Sequence, residues 1–412
     1  MTQRFLVFTF LLITQFVNAQ TTPTSFEAYA QTQSKLFTAA YEKRDTQTYR
    51  HLLNDWNDRF SKLSAVEQKQ FRSYHVNAFY NLCCTYSLMG LKDLALDYLE
   101  KTIQQGYTNY SHIQEDADLD LIRKDNRFIT MIQPLRETGD YLYILKKAGA
   151  FNNNDQRPLP AFTYQPASAP ELVALRQAFK LDSIAGQGNE SSRVLNLLHW
   201  IHELIPHDGQ HENPVVKNAM SMIAICKKDV RGLNCRGLAT VLNEAYLSMG
   251  FKSRMVTCMP KDSLGVDFDC HVINMVYLPS LKKWIWADPT NDAYVMNEKG
   301  ELLGIEEVRQ RIIEDKPLIV NPTANWNHKE STTKDKYLYN YMAKNLYILQ
   351  CPVSSAYDIE TATEGKTIQY IQLNPLDYFR QKPDKKESVN KQKQTRYEFY
   401  YTNNATSFFQ NP

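Results

Sequence analysis

Hydrophobic side chains recur at three- and four-residue spacing from about residue 26 to residue 150, where glycine is scarce. This period is typical of amphipathic helices, so the pattern predicts an all-α first domain of helical hairpins. From residue 171 onwards, helical spacing is mixed with short runs of β-branched and aromatic residues, which favours an α+β second domain. The predicted helices there cover 171–184, 192–205, 214–226 and 235–249, and the predicted strands cover 252–259, 271–278, 284–288, 368–373 and 397–401.

Prolines and asparagines concentrate between the two patterns, from Asn152 to Pro170, in a composition typical of linkers. We therefore predict a helical domain at 20–150, a linker at 151–170 and an α+β domain at 171–412. Within the last, the run 381–393 is rich in lysine and poor in apolar residues, so we expect a solvated loop there.

One stretch of the helical domain resembles a tetratricopeptide repeat, a helical hairpin of about 34 residues. Only one clear repeat is visible, whereas such units bury a continuous core in stacks of about three. A helical packing unit is therefore favoured over a peptide-binding stack, although a protein partner for this domain stays open. The residues that match the repeat are Ala78, Phe79, Leu82, Tyr86, Gly90, Ala95, Leu99 and Thr102.

The first 19 residues have the pattern of a cleavable export signal. Arg4 provides a positive start, 5–13 is an apolar run, and 17–19 is a small-residue cleavage site. A retained anchor is the less favoured alternative, because the run is short for a bilayer span. No cysteine precedes Cys83, so the pattern is not that of a lipoprotein. We predict a periplasmic or secreted protein that begins near Gln20 and has no membrane span.

Charge and cysteine content restrict the function further. The chain of 412 residues carries 47 Lys and Arg against 45 Asp and Glu, so a nucleic-acid partner is not expected. Seven cysteines are an odd number, which leaves at least one thiol without an intramolecular partner. Cys258 and Cys270 flank a loop between two predicted strands, and a cross-strand disulfide between them stays open because the register is unknown.

Cys235 lies where the sequence predicts the first turn of a buried helix. Asn234 is a suitable N-cap residue, and Gly250 is a suitable helix terminator. The free backbone amides and the positive end of the helix dipole favour a thiolate at this position. The same amides could hold an oxyanion during acyl transfer, so Cys235 is a candidate nucleophile.

A proton carrier and an orienting carboxylate follow on two predicted strands. His271 begins one strand, and Asp288 ends the next. If the two strands pair as a hairpin, both side chains lie towards the same end of it. Asp288 could then fix the imidazole tautomer and stabilise its charged form.

These motifs resemble the transglutaminase-like superfamily, which has a papain-like fold. The resemblance covers about 171–321, with a catalytic core at about 190–321, and includes the Trp-Ala-Asp-Pro-Thr segment 286–290. It implies that Cys235 is the nucleophile, His271 the general base and acid, and Asp288 the orienting carboxylate. The small residue that usually precedes the cysteine is replaced here by Asn234.

The predicted activity is acyl transfer on an amide of a peptide, a protein or the cell wall, without a cofactor. Hydrolysis is favoured over cross-linking, because water prevails unless a site excludes it. The sequence shows no calcium-loop signature. The alternative is a non-catalytic module that binds an extracytoplasmic peptide or glycan on the same fold.

A group of histidines precedes the candidate nucleophile. Two share a predicted helical face and two follow Pro206 in a predicted loop, without a recognised ligand signature, so we predict no metal site. A position at the rim of the cleft is the other interpretation. The group consists of His199, His202, His207 and His211, with Glu212 beside them.

Overall fold

The computed structural model describes residues 25–261, 269–377 and 384–412. The chain divides into two compact units, the first ending at Asp140 and the second running from Tyr141 to Pro412. The predicted export signal, 1–19, lies outside the described residues. None of the helices in the described ranges has both the length and the hydropathy of a membrane span.

The first unit is entirely helical where it is described, which confirms the all-α prediction for this region. Capping side chains define several helix starts; Ser64, for example, begins a helix with a capping box to Glu67. The helices are α1 (Ser25–Glu42), α2 (Thr46–Phe60), α3 (Ala65–Gln70), α4 (Arg72–Leu88), α5 (Lys92–Gln104), α6 (Tyr110–Glu115), α7 (Asn126–Ile132) and α8 (Arg136–Gly139), with short 3-10 turns at Ala117–Leu119 and Gln133–Leu135.

The repeat-like stretch forms the hairpin of α4 and α5, which pack against each other. Gly90 has a φ of +79° between the two helices, a conformation that favours glycine at a helix end. Ala95 is fully buried, and its carbonyl accepts the Sγ–H of Cys83 at 3.2 Å. The small residues of the motif therefore lie where the two helices approach most closely.

The second unit combines a sheet with helices on both faces, which confirms the predicted α+β class. Its helices are α9 (Tyr141–Lys146), α10 (Pro170–Ala178), α11 (Leu181–Ala185), α12 (Glu190–Leu204), α13 (Ala219–Asp229), α14 (Cys235–Ser248), α15 (Ile305–Ile313), a π-helix (Asp335–Met342), α16 (Ala343–Asn345) and α17 (Ala405–Phe408). Its strands are β1 (Thr163–Tyr164), β2 (Ser253–Met259), β3 (His271–Leu278), β4 (Lys283–Ala287), β5 (Val295–Met296), β6 (Ile319–Val320), β7 (Asn325–Trp326), β8 (Glu330–Ser331), β9 (Ile348–Pro352), β10 (Ser354–Ser355), β11 (Thr367–Leu373), β12 (Lys385–Asn390) and β13 (Thr395–Thr402).

The main sheet has seven strands in the order β12-β13-β11-β9-β2-β3-β4. Its pairs are antiparallel except for β11 and β13, which run parallel. Val276 and Leu278 of β3 pack against the helices α12, α13 and α14, whereas Ile273 and Met275 face the other core with α15 and the π-helix. This alternation is that of a strand buried on both faces, and it assigns His271 to the π-helix face.

The register of β2 and β3 shows whether Cys258 and Cys270 are placed to form a disulfide. Cys258 lies directly opposite His271, so Cys270 is one position out of register with Cys258. Side chains one position apart point to opposite faces of a sheet. Both cysteines are accordingly free thiols.

Two segments differ from the sequence-based expectation. The lysine-rich run contains β12, which pairs with β13 as an edge strand, so a loop at 385–390 is wrong. Edge strands carry charged side chains that oppose further pairing, which explains the loop-like composition.

The predicted linker 151–170 packs within the second unit: Asn152 N donates to Asn403 O at 2.9 Å, and β1 pairs with β10.

Candidate active site

Cys235 is the first residue of α14, at a helix entrance that two asparagines hold in place. The Asn234 side chain accepts from Gly237 N at 3.2 Å and from Asn213 Nδ2 at 2.6 Å, and Asn213 Oδ1 accepts from Asn234 N at 3.1 Å. A Cβ on Gly237 would lie 2.6 Å from Asn213 Oδ1, so only glycine fits beside this pair. The thiol therefore has a fixed place at the positive end of the helix.

His271 and Asp288 meet at one end of the β3–β4 hairpin, as the sequence predicts. Asn274 of β3 pairs with Ala287 of β4, so the strand start at His271 and the strand end before Asp288 lie close together. His271 Nε2 is 2.7 Å from Asp288 Oδ2, and both side chains are almost completely buried. Nδ1 of His271 is then the ring nitrogen that remains for the thiol.

The carboxylate of Asp288 accepts four hydrogen bonds in the described structure. Besides the His271 ring, its donors are Thr290 N at 2.9 Å, Asn291 Nδ2 at 3.0 Å and Tyr337 Oη at 2.5 Å. Burial disfavours the carboxylate, but the charge of His271 and these hydrogen bonds hold the pKa of Asp288 below its ordinary value. Asp288 is therefore an anion that fixes both the position and the charge of the imidazole.

The imidazole and the thiol stabilise each other in their charged forms. Burial disfavours the imidazolium of His271, but Asp288 and the Cys235 thiolate raise its pKa to about 10. Burial likewise disfavours the thiolate, yet the pKa of Cys235 is lowered to about 6. Hydrogen bonds with His207 and His271, and the charge of His271, outweigh burial there. At neutral pH the two groups therefore form a thiolate–imidazolium pair.

His207 is a third side chain at the thiol, and sequence reasoning did not single it out. It lies in the loop after α12, and its interaction with Cys235 is one of the causes that lower the pKa of the thiol. Its ring Nδ1 accepts the indole N–H of Trp326 at 3.2 Å. Loop residues have no periodic pattern, so the only available signal was its membership of the histidine group.

The other histidines of that group lie elsewhere. His199 pairs with Asp292 at 2.8 Å, and His211 pairs with Asp208 at 2.6 Å. His202 is buried, with its ring nitrogens 3.2 Å from Pro289 O and 3.0 Å from Asn325 Oδ1. The four histidines therefore do not converge on one site.

Among the described residues, His202, Glu203 and His328 could bring ligand atoms within 4.8 Å of one another. His328 Nε2 already pairs with Glu203 at 3.1 Å. Both ring nitrogens of His202 also have hydrogen-bond partners in the protein. A metal ion would have to displace these bonds, so the group does not fit a preformed metal site.

A cavity of about 230 Å³ opens beside the rings of His207 and His271. Aromatic side chains form part of its wall, and Tyr341 lies edge-on to His271 with ring centroids 5.2 Å apart. An exposed ion pair, Lys336 with Glu330 at 2.6 Å, lies on another side. The lining residues are His207, His271, Thr290, Asn291, Trp326, Glu330, Ser331, Thr332, Thr333, Lys336, Tyr337 and Tyr341.

Comparisons with known proteins identify one family model. Residues 177–289 match the family model of the transglutaminase-like superfamily, a span that contains all three predicted catalytic residues. Among solved structures, the chain is similar to a candidate cysteine protease from Cytophaga hutchinsonii, with 18% identity and a TM-score of 0.22, over 31% of this chain and 39% of that one. At that score the likeness supports no conclusion. No curated protein matches the chain.

Proposed function

We propose that this chain, whose residues 177–289 form a transglutaminase-like domain, is a cysteine-dependent acyl-transfer enzyme that acts on amide bonds. The observation that supports this most strongly is the arrangement of Cys235 at a helix start and of His271, bound to Asp288 at 2.7 Å, beside an open cavity. A thiolate at neutral pH is the form of cysteine that attacks carbonyl carbon. A structural cysteine has no need of an imidazolium backed by a buried carboxylate.

In the proposed reaction, the Cys235 thiolate attacks the amide carbonyl and the C=O electron pair moves to oxygen. The backbone N–H of Cys235, free at the helix start, is available to stabilise this oxyanion. The C–N bond then breaks as Nδ1–H of His271 gives its proton to the leaving amine, and a thioester remains. Neutral His271 next takes a proton from the acceptor as the acceptor attacks the thioester carbonyl. The C–S bond then breaks, the acyl product leaves, and the Cys235 thiolate and the His271 imidazolium are restored.

We propose hydrolysis as the second half of the reaction. The cavity that adjoins the site is open, so water has access to the thioester. An amine acceptor would give transfer instead, and the same Cys235 and His271 chemistry serves both outcomes. The substrate class follows from the export signal predicted at 1–19: an amide of a peptide, a protein or the cell wall outside the cytoplasm.

The direct test is turnover of a panel of peptide and cell-wall amides by the purified chain. Cys235→Ala serves as the blank, because it removes the nucleophile and leaves the cavity. We expect release of amine with the wild type, and a thioester adduct on Cys235 visible by mass spectrometry after rapid acid quench. Equal rates with the wild type and Cys235→Ala, and no adduct, would contradict the proposal.

A further inference from the structure

His207 is held in place more firmly than an ordinary loop residue. Its backbone N donates to Asn327 Oδ1 at 2.7 Å, and its carbonyl accepts from Asn327 Nδ2 at 2.8 Å. On the other side, Leu233 N donates to Pro206 O at 3.2 Å and Asp208 N donates to Leu233 O at 2.7 Å. His207 is thus tied both to the turn between β7 and β8 and to the segment that leads directly into Cys235.

Trp326 determines which nitrogen of the His207 ring carries hydrogen. The indole N–H is a donor only, and it points at Nδ1 of His207 from 3.2 Å. Nδ1 must therefore supply a lone pair, so neutral His207 carries its hydrogen on Nε2. Because Nδ1 is occupied, Nε2–H is the group that can donate to Cys235.

The two imidazoles at the thiol therefore differ in kind. His271 is backed by the anion of Asp288 at 2.7 Å, so it can hold and release a proton during the reaction. His207 is backed by a donor, the Trp326 indole, which occupies Nδ1 and leaves Nε2–H to donate. A group of that kind is a fixed hydrogen-bond donor.

We propose that His207 is a further catalytic residue, an oxyanion donor that acts through Nε2–H, and that Trp326 is the positioning residue that keeps its tautomer. The inference rests on the proposed acyl-transfer function. As the carbonyl is attacked, negative charge leaves Sγ and appears on an oxygen bound to the adjacent carbon. His207 lines the same cavity as His271, and its backbone bridges to Leu233, just before Cys235, so its Nε2–H is well placed to meet that charge together with the Cys235 amide.

Two reactions of the same thiol separate this role from a general effect on Cys235. Acylation by p-nitrophenyl acetate passes through an oxyanion, whereas alkylation by iodoacetamide displaces iodide and forms none. At pH 8, we expect His207→Ala to lower the acylation rate by about 100-fold or more and the alkylation rate by no more than about threefold. His207→Gln keeps an N–H donor, so we expect its acylation rate within about tenfold of the wild type.

Trp326→Phe keeps the aromatic ring and removes the indole N–H. It releases the tautomer of His207, so we expect a loss of acylation smaller than that of His207→Ala, again with little change in alkylation. His211→Gln is the matched control, an exposed histidine of the same segment, and we expect both rates to stay at wild-type values. Thermal melting of each variant checks that the fold is retained, and His207→Gln keeps the test valid if His207→Ala does not fold.

The outcomes are distinct. If the wild type is acylated, and both His207→Ala and His207→Gln are acylated as fast as the wild type, the oxyanion role is overturned and the proposed function stands. The role is also overturned if acylation and alkylation of His207→Ala fall by the same factor, because His207 would then act on the thiolate alone. If the wild type is acylated no faster than Cys235→Ala, the proposed function and this inference both fail.

Discussion

Four hydrogen bonds converge on the carboxylate of Asp288, and they make one buried anion the support of the whole site. An unpaired buried carboxylate would take up a proton, and its neighbour His271 would lose its charge with it. Tyr337 and Asn291 prevent this from outside the catalytic sequence motifs. The charge of the Cys235 thiol therefore depends on side chains that bind Asp288.

Tyr337→Phe tests that dependence. The phenyl ring still packs against Trp286, but Oη no longer donates to Asp288 at 2.5 Å or accepts from Trp286 Nε1 at 3.2 Å. We expect the pKa of Asp288 to rise and that of the Cys235 thiol to rise with it, because the imidazolium becomes less stable. The unfolding free energy should fall by about 1–3 kcal/mol, since a hydrogen bond to a charged group is removed.

The measurement is the alkylation midpoint of Cys235 against pH together with a thermal melt. Tyr339→Phe, on the same π-helix, is the control and should leave the midpoint where it is. A midpoint for Tyr337→Phe that coincides with the wild type would show that Asp288 needs no help from this hydroxyl.

Individual residues were predictable where a local pattern marks them. Cys235 follows an N-cap residue, and His271 and Asp288 stand at strand ends, so each has a signal in its neighbours. Tyr337 and His207 have none, because a π-helix and an irregular loop bring them to the site from distant parts of the chain. Their contacts are set by tertiary packing alone.

At the scale of elements, the position of Cys235 depends most on the start of α14. The exchange of hydrogen bonds between Asn234 and Asn213 fixes both the helix cap and the backbone before the thiol. Asn234, where the transglutaminase-like superfamily usually has a small residue, is therefore accommodated by a matching partner, Asn213. Gly237 leaves the space that this partner occupies.

Asn234→Ala removes the cap and leaves the backbone of Cys235 less restrained. We expect the unfolding free energy to fall by about 1–2 kcal/mol, the usual cost of a lost N-cap, and the acyl-transfer rate to fall with it. Asn234→Ser keeps a cap acceptor and is the matched control, with stability close to the wild type. Chemical denaturation measures the unfolding free energy. If Asn234→Ser loses as much stability as Asn234→Ala, the capping role is contradicted.

Strand positions were predicted well for β2, β3 and β4 but not for β9 at the sheet centre or β12 at one edge. The strands β2, β3 and β4 are buried on both faces and read as continuous apolar runs, so their existence was clear from the sequence. β12 at the edge is exposed along most of its length and has the composition of a loop. Whether Cys258 and Cys270 face each other depends on the register of β2 and β3. The alternation of apolar residues does not determine that register.

At the scale of the whole molecule, the proline-rich segment 151–170 belongs to the second unit. Its backbone amides have defined partners: Thr163 N donates to Val353 O at 3.0 Å, and Gln165 N donates to Ser355 O at 2.9 Å. The phenol of Tyr164 accepts from the buried Arg254 at 2.6 Å. Composition suggested a linker because proline and asparagine favour extended chain whether or not it is packed.

Hydrogen exchange distinguishes a packed segment from a linker. We expect the amides of Thr163 and Gln165 to exchange at least about 100-fold more slowly than in a free peptide, since exchange requires local opening. Peptides that cover 386–393, at the exposed edge strand and its turn, provide an internal comparison with faster exchange. Exchange of both amides at free-peptide rates would contradict the packing of this segment.

The account depends above all on the charge of one sulfur at neutral pH. The lowered pKa of Cys235 means that the thiolate forms as pH rises through about 6, and that protonation below this value removes the nucleophile. We therefore predict that the rate of Cys235 alkylation by iodoacetamide, measured against Cys235→Ala as the background of the other cysteines, rises with a midpoint near pH 6. In His271→Ala the midpoint should move up towards the ordinary thiol value of about 8.5. A wild-type midpoint already near 8.5, or one that His271→Ala leaves unchanged, would contradict the central claim.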